Sequence, residues 1–181
     1  MIVNKKAMEI FMAIWDTGIK RAIKSNLRGG NLQNALDFVA YLKAQGMSFV
    51  RGKGYWADKL YFLVKHKNEF VCFILIGAEY PGEAPDRWML WANDSASYAD
   101  FPLEGHLKEI AWANVDVCGS CGYCAGGTRR PIFGKEFEKV CLAPMCFTNP
   151  DEKTLAFMKK IVDIRKNDIT APRPSTEGNT L

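Results

Sequence analysis

Five of the six cysteines lie in one stretch of the C-terminal half, at spacings that suit a metal ion. Two residues separate Cys118 from Cys121, nineteen separate Cys121 from Cys141, and four separate Cys141 from Cys146. A gap of two residues lets two thiolates point at one ion, and a second pair at about this distance is typical of four-cysteine zinc sites. The sequence therefore predicts that Cys118, Cys121, Cys141 and Cys146 bind one zinc ion.

Cys124 is a fifth cysteine for four ligand positions, and its role stays open. It could replace Cys121 as a ligand, remain a free thiol, or bind an iron–sulfur cluster. Two gaps of two residues also begin a bacterial ferredoxin motif, but the nearby fourth cysteine followed by proline does not come after Cys124. Zinc is the preferred interpretation, with a redox protein carrying a cluster or a reactive thiol as the alternative. Cys72, inside an apolar run, is predicted to be an ordinary core residue.

The N-terminal residues bear on the redox state of these cysteines. Glu9 and Asp16 interrupt the first apolar stretch, and no small-residue cleavage site follows, so we expect no export signal. Cysteines of a cytoplasmic protein stay reduced, which favours metal binding over disulfides. No apolar run approaches the roughly 20 residues of a membrane span, and we expect no membrane partner.

Composition and charge are those of a water-soluble globular protein. The 181 residues are 48% hydrophobic and 24% charged, with a net charge of +4. Nucleic-acid binding through Arg129, Arg130, Lys135 and Lys139 is a third hypothesis, but the sequence lacks the dense basic stripe that such proteins usually show. The composition therefore argues against a nucleic-acid partner.

An enzyme is not indicated by the acid–base residues. The single combination of this kind, Glu104, His106 and Glu109, lies on a polar segment, where such residues are usually solvated. No set of nucleophile, base and orienting group can be assembled. The sequence favours a binding protein over a catalyst.

The helices that would position the cysteines are marked by apolar periodicity and end signals. We predict one helix over residues 3–24, a second that begins at Asn31 as N-cap and ends near Gly46, and a short helix over residues 102–113. A final helix is predicted to start with Asn149 as N-cap and Pro150 in its first turn. We expect this last helix to pack on a sheet and anchor the cysteine-rich loop.

The strands carry aromatic and β-branched residues. Residues 47–56 predict a strand that ends in a turn, and residues 60–64 and 70–76 predict a hairpin. In the strand over residues 87–93, alternation places Trp88 on one face and Trp91 on the other. Trp88 and Trp91, with Tyr55 and Trp56 as companions, form the best candidate surface for a small-molecule or protein partner.

Three segments resemble the C-terminal part of uncharacterised bacterial proteins with a cysteine-rich C-terminal region. They are the segment from Cys118 to Cys124, the phrase Ile132-Phe133-Gly134-Lys135-Glu136-Phe137 before Cys141, and the helix start Asn149-Pro150-Asp151-Glu152. The resemblance covers about the last third of the chain, and no activity is known for that family. It implies a bacterial cytoplasmic protein and supplies no mechanism.

The order of elements predicts an α+β fold, with an antiparallel sheet backed by helices, a C-terminal cysteine-rich metal-binding loop region and a final helix. We expect an α+β core over residues 1–113, the cysteine-rich region with its packing helix over 114–169, and a disordered tail over 170–181. The functional prediction is a cytoplasmic zinc-binding module in which the zinc is structural.

Overall fold

Seven antiparallel strands form one sheet, in the order β1-β2-β3-β4-β7-β5, with β6 paired to β7. The computed structural model describes residues 18–53, 56, 58–119 and 125–171. The strands are β1 (Ser48–Arg51), β2 (Tyr61–His66), β3 (Glu69–Ile76), β4 (Trp88–Ala92), β5 (Val115–Val117), β6 (Thr128–Ile132) and β7 (Lys135–Thr148). The predicted antiparallel sheet and the α+β class are confirmed.

Four α-helices accompany the sheet within the described residues. They are α1 over residues 18–26, α2 (Gly29–Ala44), α3 (Gly105–Ala113) and α4 (Glu152–Thr170). Residues 3–17 of the predicted first helix and residues 172–181 of the predicted tail lie outside the described residues. No helix within the described ranges is long and apolar enough to cross a membrane.

The N-terminus of α2 is capped by a distant residue. The prediction of Asn31 as N-cap is wrong, because the helix begins at Gly29 with Arg28 in the cap position. The Asp86 carboxylate accepts a hydrogen bond of 2.9 Å from the Arg28 backbone N–H, and the Asn31 amide donates to the Asp86 carbonyl oxygen. A loop 58 residues away in sequence thus supplies the cap. Gly46 has φ +75°, which confirms it as the predicted end signal.

The hairpin of β2 and β3 follows the sequence prediction closely. Lys67 and Asn68 both adopt positive φ, as a two-residue hairpin turn requires. The sequence prediction left five residues, 65–69, between the two strands. Because the turn itself takes only two residues, the strands extend further, to His66 and Glu69.

Helices α2 and α4 lie parallel to each other on one side of the sheet, which we call the inner face. Their contacts advance together along both helices: the Tyr41 hydroxyl donates to the Lys159 carbonyl oxygen at 3.0 Å, and Lys166 donates to the Gln45 side chain at 2.7 Å. The inner core includes Trp88, which is fully buried. Burial of this face is the main source of the fold's stability.

The start of α4 differs from the prediction by two residues. The N-cap is Asp151, whose carboxylate accepts from the Thr154 backbone N–H at 2.8 Å. The prediction of Asn149 as N-cap is wrong because this side chain serves the sheet instead. Its Oδ1 accepts from the Trp88 backbone N–H at 2.9 Å, with Asn149 at φ +44°. Asn149 thus ties the end of β7 to β4.

The two faces of β4 bury different clusters. Trp88 and Leu90 belong to the inner core, while Met89 and Trp91 belong to a second cluster on the opposite side, the outer face. The predicted alternation is confirmed. Cys72 is buried in the inner core, as predicted.

Candidate metal centre

A bulge in β7 determines where its two cysteines point. Val115 of β5 pairs with Met145, and Val117 pairs with Val140, so two steps along β5 correspond to five along β7. Residues five apart in a regular strand face opposite sides. The extra residues of the bulge change this alternation, as bulges do. The five-residue step from Cys141 to Cys146 spans this bulge.

Both cysteines of β7 lie on the outer face. Cys146 packs against the outer cluster and stands directly opposite Trp91 in the pairing of β4 with β7. Cys141 makes a polar side-chain contact with Asp116, and Asp116 makes a second one with the indole N–H of Trp91. The shared neighbours Asp116 and Trp91 place the two sulfurs on one side of the sheet.

Asp116 is an acidic group at the middle of this arrangement. Burial raises its pKa, and the contacts with Cys141 and Trp91 act in the opposite direction. Burial also raises the pKa of Glu79, in the loop between β3 and β4, with the negative charges of Glu83 and Asp116 adding to the rise. The site therefore holds two half-buried carboxyl groups beside the thiols, and burial opposes the ionisation of both.

The Cys141 sulfur has a backbone donor of its own. Burial raises the pKa of this thiol, while a hydrogen bond from the Ala143 backbone N–H lowers it. The charge of Cys118 raises it as well, so the two sulfurs lie within electrostatic range of each other. A backbone N–H directed at sulfur stabilises a thiolate, which is the form that binds metals.

Cys118 lies at the base of a loop whose two ends meet. Its backbone N–H donates to the Lys139 carbonyl oxygen at 2.7 Å, two residues before Cys141. Gly127, where the loop returns, packs against the same atoms. A Cβ atom there would overlap the Lys139 carbonyl and lie 2.6 Å from the Cβ of Cys118. Cys121 and Cys124 lie outside the described residues.

This close approach makes Gly127 sensitive to substitution. We expect Gly127→Ala to lower the free energy of unfolding by about 1–3 kcal/mol, the usual cost of overpacking, because the Lys139 backbone has little freedom to move. Urea unfolding would measure this loss of stability. Gly30→Ala is the matched control, since a Cβ at Gly30 in α2 meets nothing within 4 Å. Equal effects of the two substitutions would show that the loop base is not tightly packed.

Of the described cysteines, Cys72, Cys141 and Cys146 are free thiols. Among the described side chains, no three of the residue types His, Cys, Asp and Glu are close enough together to hold a metal ion. Those side chains do not include Cys121 and Cys124. Of the predicted ligands, Cys118 lies within electrostatic range of Cys141, and Cys141 within electrostatic range of Cys146.

An aromatic cluster adjoins the cysteines on the outer face. Trp91 stacks on Phe73 with ring centroids 5.0 Å apart, and Trp56 lies over both at 5.4 and 5.6 Å. Tyr61 meets the edge of Trp56 at 5.9 Å. Trp88 belongs to the inner core and does not share this surface, and Tyr55 lies outside the described residues.

The cations of β6 are engaged by carboxylates. Arg129 pairs with Glu136 and Glu138, while Arg130 pairs with Asp94 at 2.6 Å and donates to the Cys141 carbonyl oxygen at 2.8 Å. Because both arginines are paired with carboxylates, they have less positive charge available to bind the phosphate groups of a nucleic acid.

The residues considered for acid–base chemistry stand apart from the cysteines. His106 and Glu104 lie 3.4 Å apart, with 68% and 78% of their side chains exposed. They form a solvated pair, as the sequence predicted.

Sequence reasoning missed Asp116. A carboxylate two residues before Cys118, between two valines of a short strand, was the available indication. Alternation in Val115-Asp116-Val117 places the carboxylate on the face opposite to Val115.

Comparison with known proteins gave no relative from which a function could be transferred. No protein-family model matches the chain, and neither the curated proteins nor the solved structures include a match.

Proposed function

We propose that this chain is a cytoplasmic zinc-binding protein in which four of the five clustered cysteines hold one structural zinc ion. The observation that carries the proposal is the bulge of β7, which allows Cys141 and Cys146 to share the outer face. Cys118 is held at the base of the adjacent loop, within electrostatic range of Cys141. Thiolates from this loop and from β7 would share the ion.

Zinc would hold the segment between Cys118 and Gly127 against β7. The loop between Cys118 and Gly127 has its ends pinned by the Lys139 carbonyl, and residues 120–124 contain two more potential ligands. Four thiolates around Zn²⁺ leave no open position for a substrate, so the ion would stabilise rather than catalyse. The backbone N–H of Ala143 would offset part of the thiolate charge.

The partner in this proposal is a small molecule or another protein, which would contact the outer face. Support comes from the aromatic cluster, because Trp56 and Phe73 are only partly buried there. Aromatic side chains with exposed edges are common in binding surfaces. Trp88 has no part in this surface because the helices cover it.

A redox function is the second candidate, and one contact favours it. The Asp116 carboxylate touches the Cys141 thiol and would hold it in a fixed orientation for thiol exchange, while its negative charge raises the pKa of that thiol. An iron–sulfur cluster at the same cysteines belongs to this alternative. The two candidates differ in colour, because a cluster absorbs visible light and zinc does not.

Removal of the metal tests the structural role. At free zinc about 1,000 times the dissociation constant, binding stabilises the folded chain by about 4 kcal/mol. For a chain of this size, that corresponds to a rise in Tm of about 8–16 °C. We expect a chelator to lower Tm by this amount and added zinc to restore it, as followed by circular dichroism. A Tm that neither chelator nor zinc changes would rule out a structural ion.

A further inference from the structure

His66 is the last residue of β2, and its side chain lies on the inner face of the sheet. Phe62 and Val64 of the same strand belong to the inner core, and side chains two residues apart in a strand share a face. The hairpin turn follows directly, at Lys67 and Asn68. The imidazole therefore sits at one end of the inner face, beside an exposed turn.

Helix α4 crosses this end of the inner face and brings Lys166 to it. Two successive residues of the helix reach opposite sides of β2. On one side, Arg165 donates from Nε to the Phe70 carbonyl oxygen of β3 at 3.0 Å. On the other side, Lys166 donates from Nζ to the Gln45 side chain, just before β1, at 2.7 Å. Since β2 lies between β1 and β3, these two contacts fix the helix across the strand that carries His66.

The imidazole of His66 has unmet hydrogen-bonding capacity. Both ring nitrogens are shielded from water, and neither has a hydrogen-bond partner among the described residues. A shielded polar group without a partner costs free energy, so folded proteins usually provide one from the chain, from water or from an ion. Burial lowers the pKa of the ring, and the charges of Lys166 and Lys67 lower it further. The neutral ring keeps one N–H that can donate to a ligand.

Two lysines contribute positive charge at this ring. Lys67 is exposed in the turn, and Lys166 is half-buried in α4. Glu69 stands opposite His66 in the hairpin register, but the charges that act on the imidazole are those of the two lysines. A lysine carries its ammonium group on a flexible four-carbon stem. A small ligand can therefore reach the ring when the ends of these side chains move.

We propose that His66, Lys67 and Lys166 form a binding site for the phosphate group of a small molecule. Phosphate accepts hydrogen bonds on each of its oxygens, so it can take the N–H of a neutral imidazole and those of two ammonium groups at once. Lysine binds phosphate in this way as a point charge. None of the cysteines takes part, so this site goes beyond the proposed zinc function and does not depend on it.

Proton NMR of the histidines tests the site in the full chain. The sequence has two histidines, and the second, His106, is an internal control because it is exposed beside Glu104. At constant pH, we expect inorganic phosphate to shift the ring resonances of His66 to saturation, with a dissociation constant of about 1 mM or lower. The resonances of His106 should stay in place, and sodium chloride of equal ionic strength should move neither ring. A nucleoside monophosphate, as a second ligand, would bind more tightly than inorganic phosphate if the phosphate is recognised as part of a larger molecule.

Glutamine substitutions test whether the two lysines hold the phosphate. Lys67→Gln and Lys166→Gln each remove one charge and keep most of the side-chain length. Each should weaken phosphate binding about 2- to 5-fold, the range for one exposed ion pair. Lys153→Gln is the matched control, since Lys153 is exposed at the opposite end of α4, and it should leave the affinity unchanged.

Three results would overturn this site: equal shifts of both histidines, no saturable shift of His66 with phosphate, or equal effects of the three substitutions. Each of these results can be obtained whether or not the chain contains zinc. Failure of the phosphate site is therefore distinguishable from failure of the proposed function, which metal analysis decides.

Discussion

Replacing Cys141 with serine is expected to abolish zinc binding. Serine keeps the size of the side chain and the backbone of the bulge, but its hydroxyl does not ionise near neutral pH and is a poor zinc ligand. We expect the dissociation constant to rise by more than about 100-fold, because the loss of a ligand exceeds the loss of an outer-shell partner. The stabilisation by zinc would disappear with it. Metal analysis and a zinc titration followed by circular dichroism would measure both effects.

Cys72→Ser is the control for this experiment. Cys72 is buried in the inner core, where burial strongly raises the pKa of its thiol and keeps it protonated. A serine hydroxyl there costs about 1–3 kcal/mol if it finds no hydrogen-bond partner, but zinc content should not change. Equal zinc in Cys72→Ser and Cys141→Ser would contradict the metal assignment, whereas the stability loss of Cys72→Ser alone would not.

Trp88→Ala is expected to have the largest effect on the stability of the sheet. Trp88 is fully buried between the sheet and the helices, with its ring 6.1 Å from that of Phe38 in α2. Truncation of a large buried aromatic side chain costs about 3–5 kcal/mol, because the surroundings relax only partly into the cavity. Urea unfolding at constant zinc would measure the loss.

Tyr80→Ala is the matched control for Trp88→Ala. Tyr80 is 62% exposed in the loop between β3 and β4, and a surface truncation usually changes stability by at most about 0.5 kcal/mol. Similar losses for the two variants would contradict the assignment of Trp88 to the inner core.

Local sequence signals gave four of the seven described strands, whereas β5, β6 and β7 form where the sequence predicted a cysteine-rich loop region. Apolar runs and alternation correctly gave the hairpin of β2 and β3 and the two faces of β4, because these depend on neighbours in sequence. The helix starts were less predictable. Asn31 and Asn149 carry the side chains of N-caps, but both are used by distant backbone groups, of Asp86 and Trp88. Only the folded chain brings those groups within reach.

In the candidate site as well, only the features that depend on local sequence could be predicted. Residue types and spacing identified the cysteines as candidate ligands, while their relative positions depend on a bulge that arises from pairing with β5. A count of residues between Cys141 and Cys146 cannot reveal that bulge. Asp116 was missed for a related reason, since it becomes significant only where β5 runs beside β7. Long-range strand pairing thus sets the site.

The zinc content of the chain as purified without added metal tests the central claim most directly. Inductively coupled plasma mass spectrometry should find about one zinc per chain, in a colourless protein with little iron. A ratio near zero in folded protein, or iron in place of zinc with visible absorption, would contradict the account.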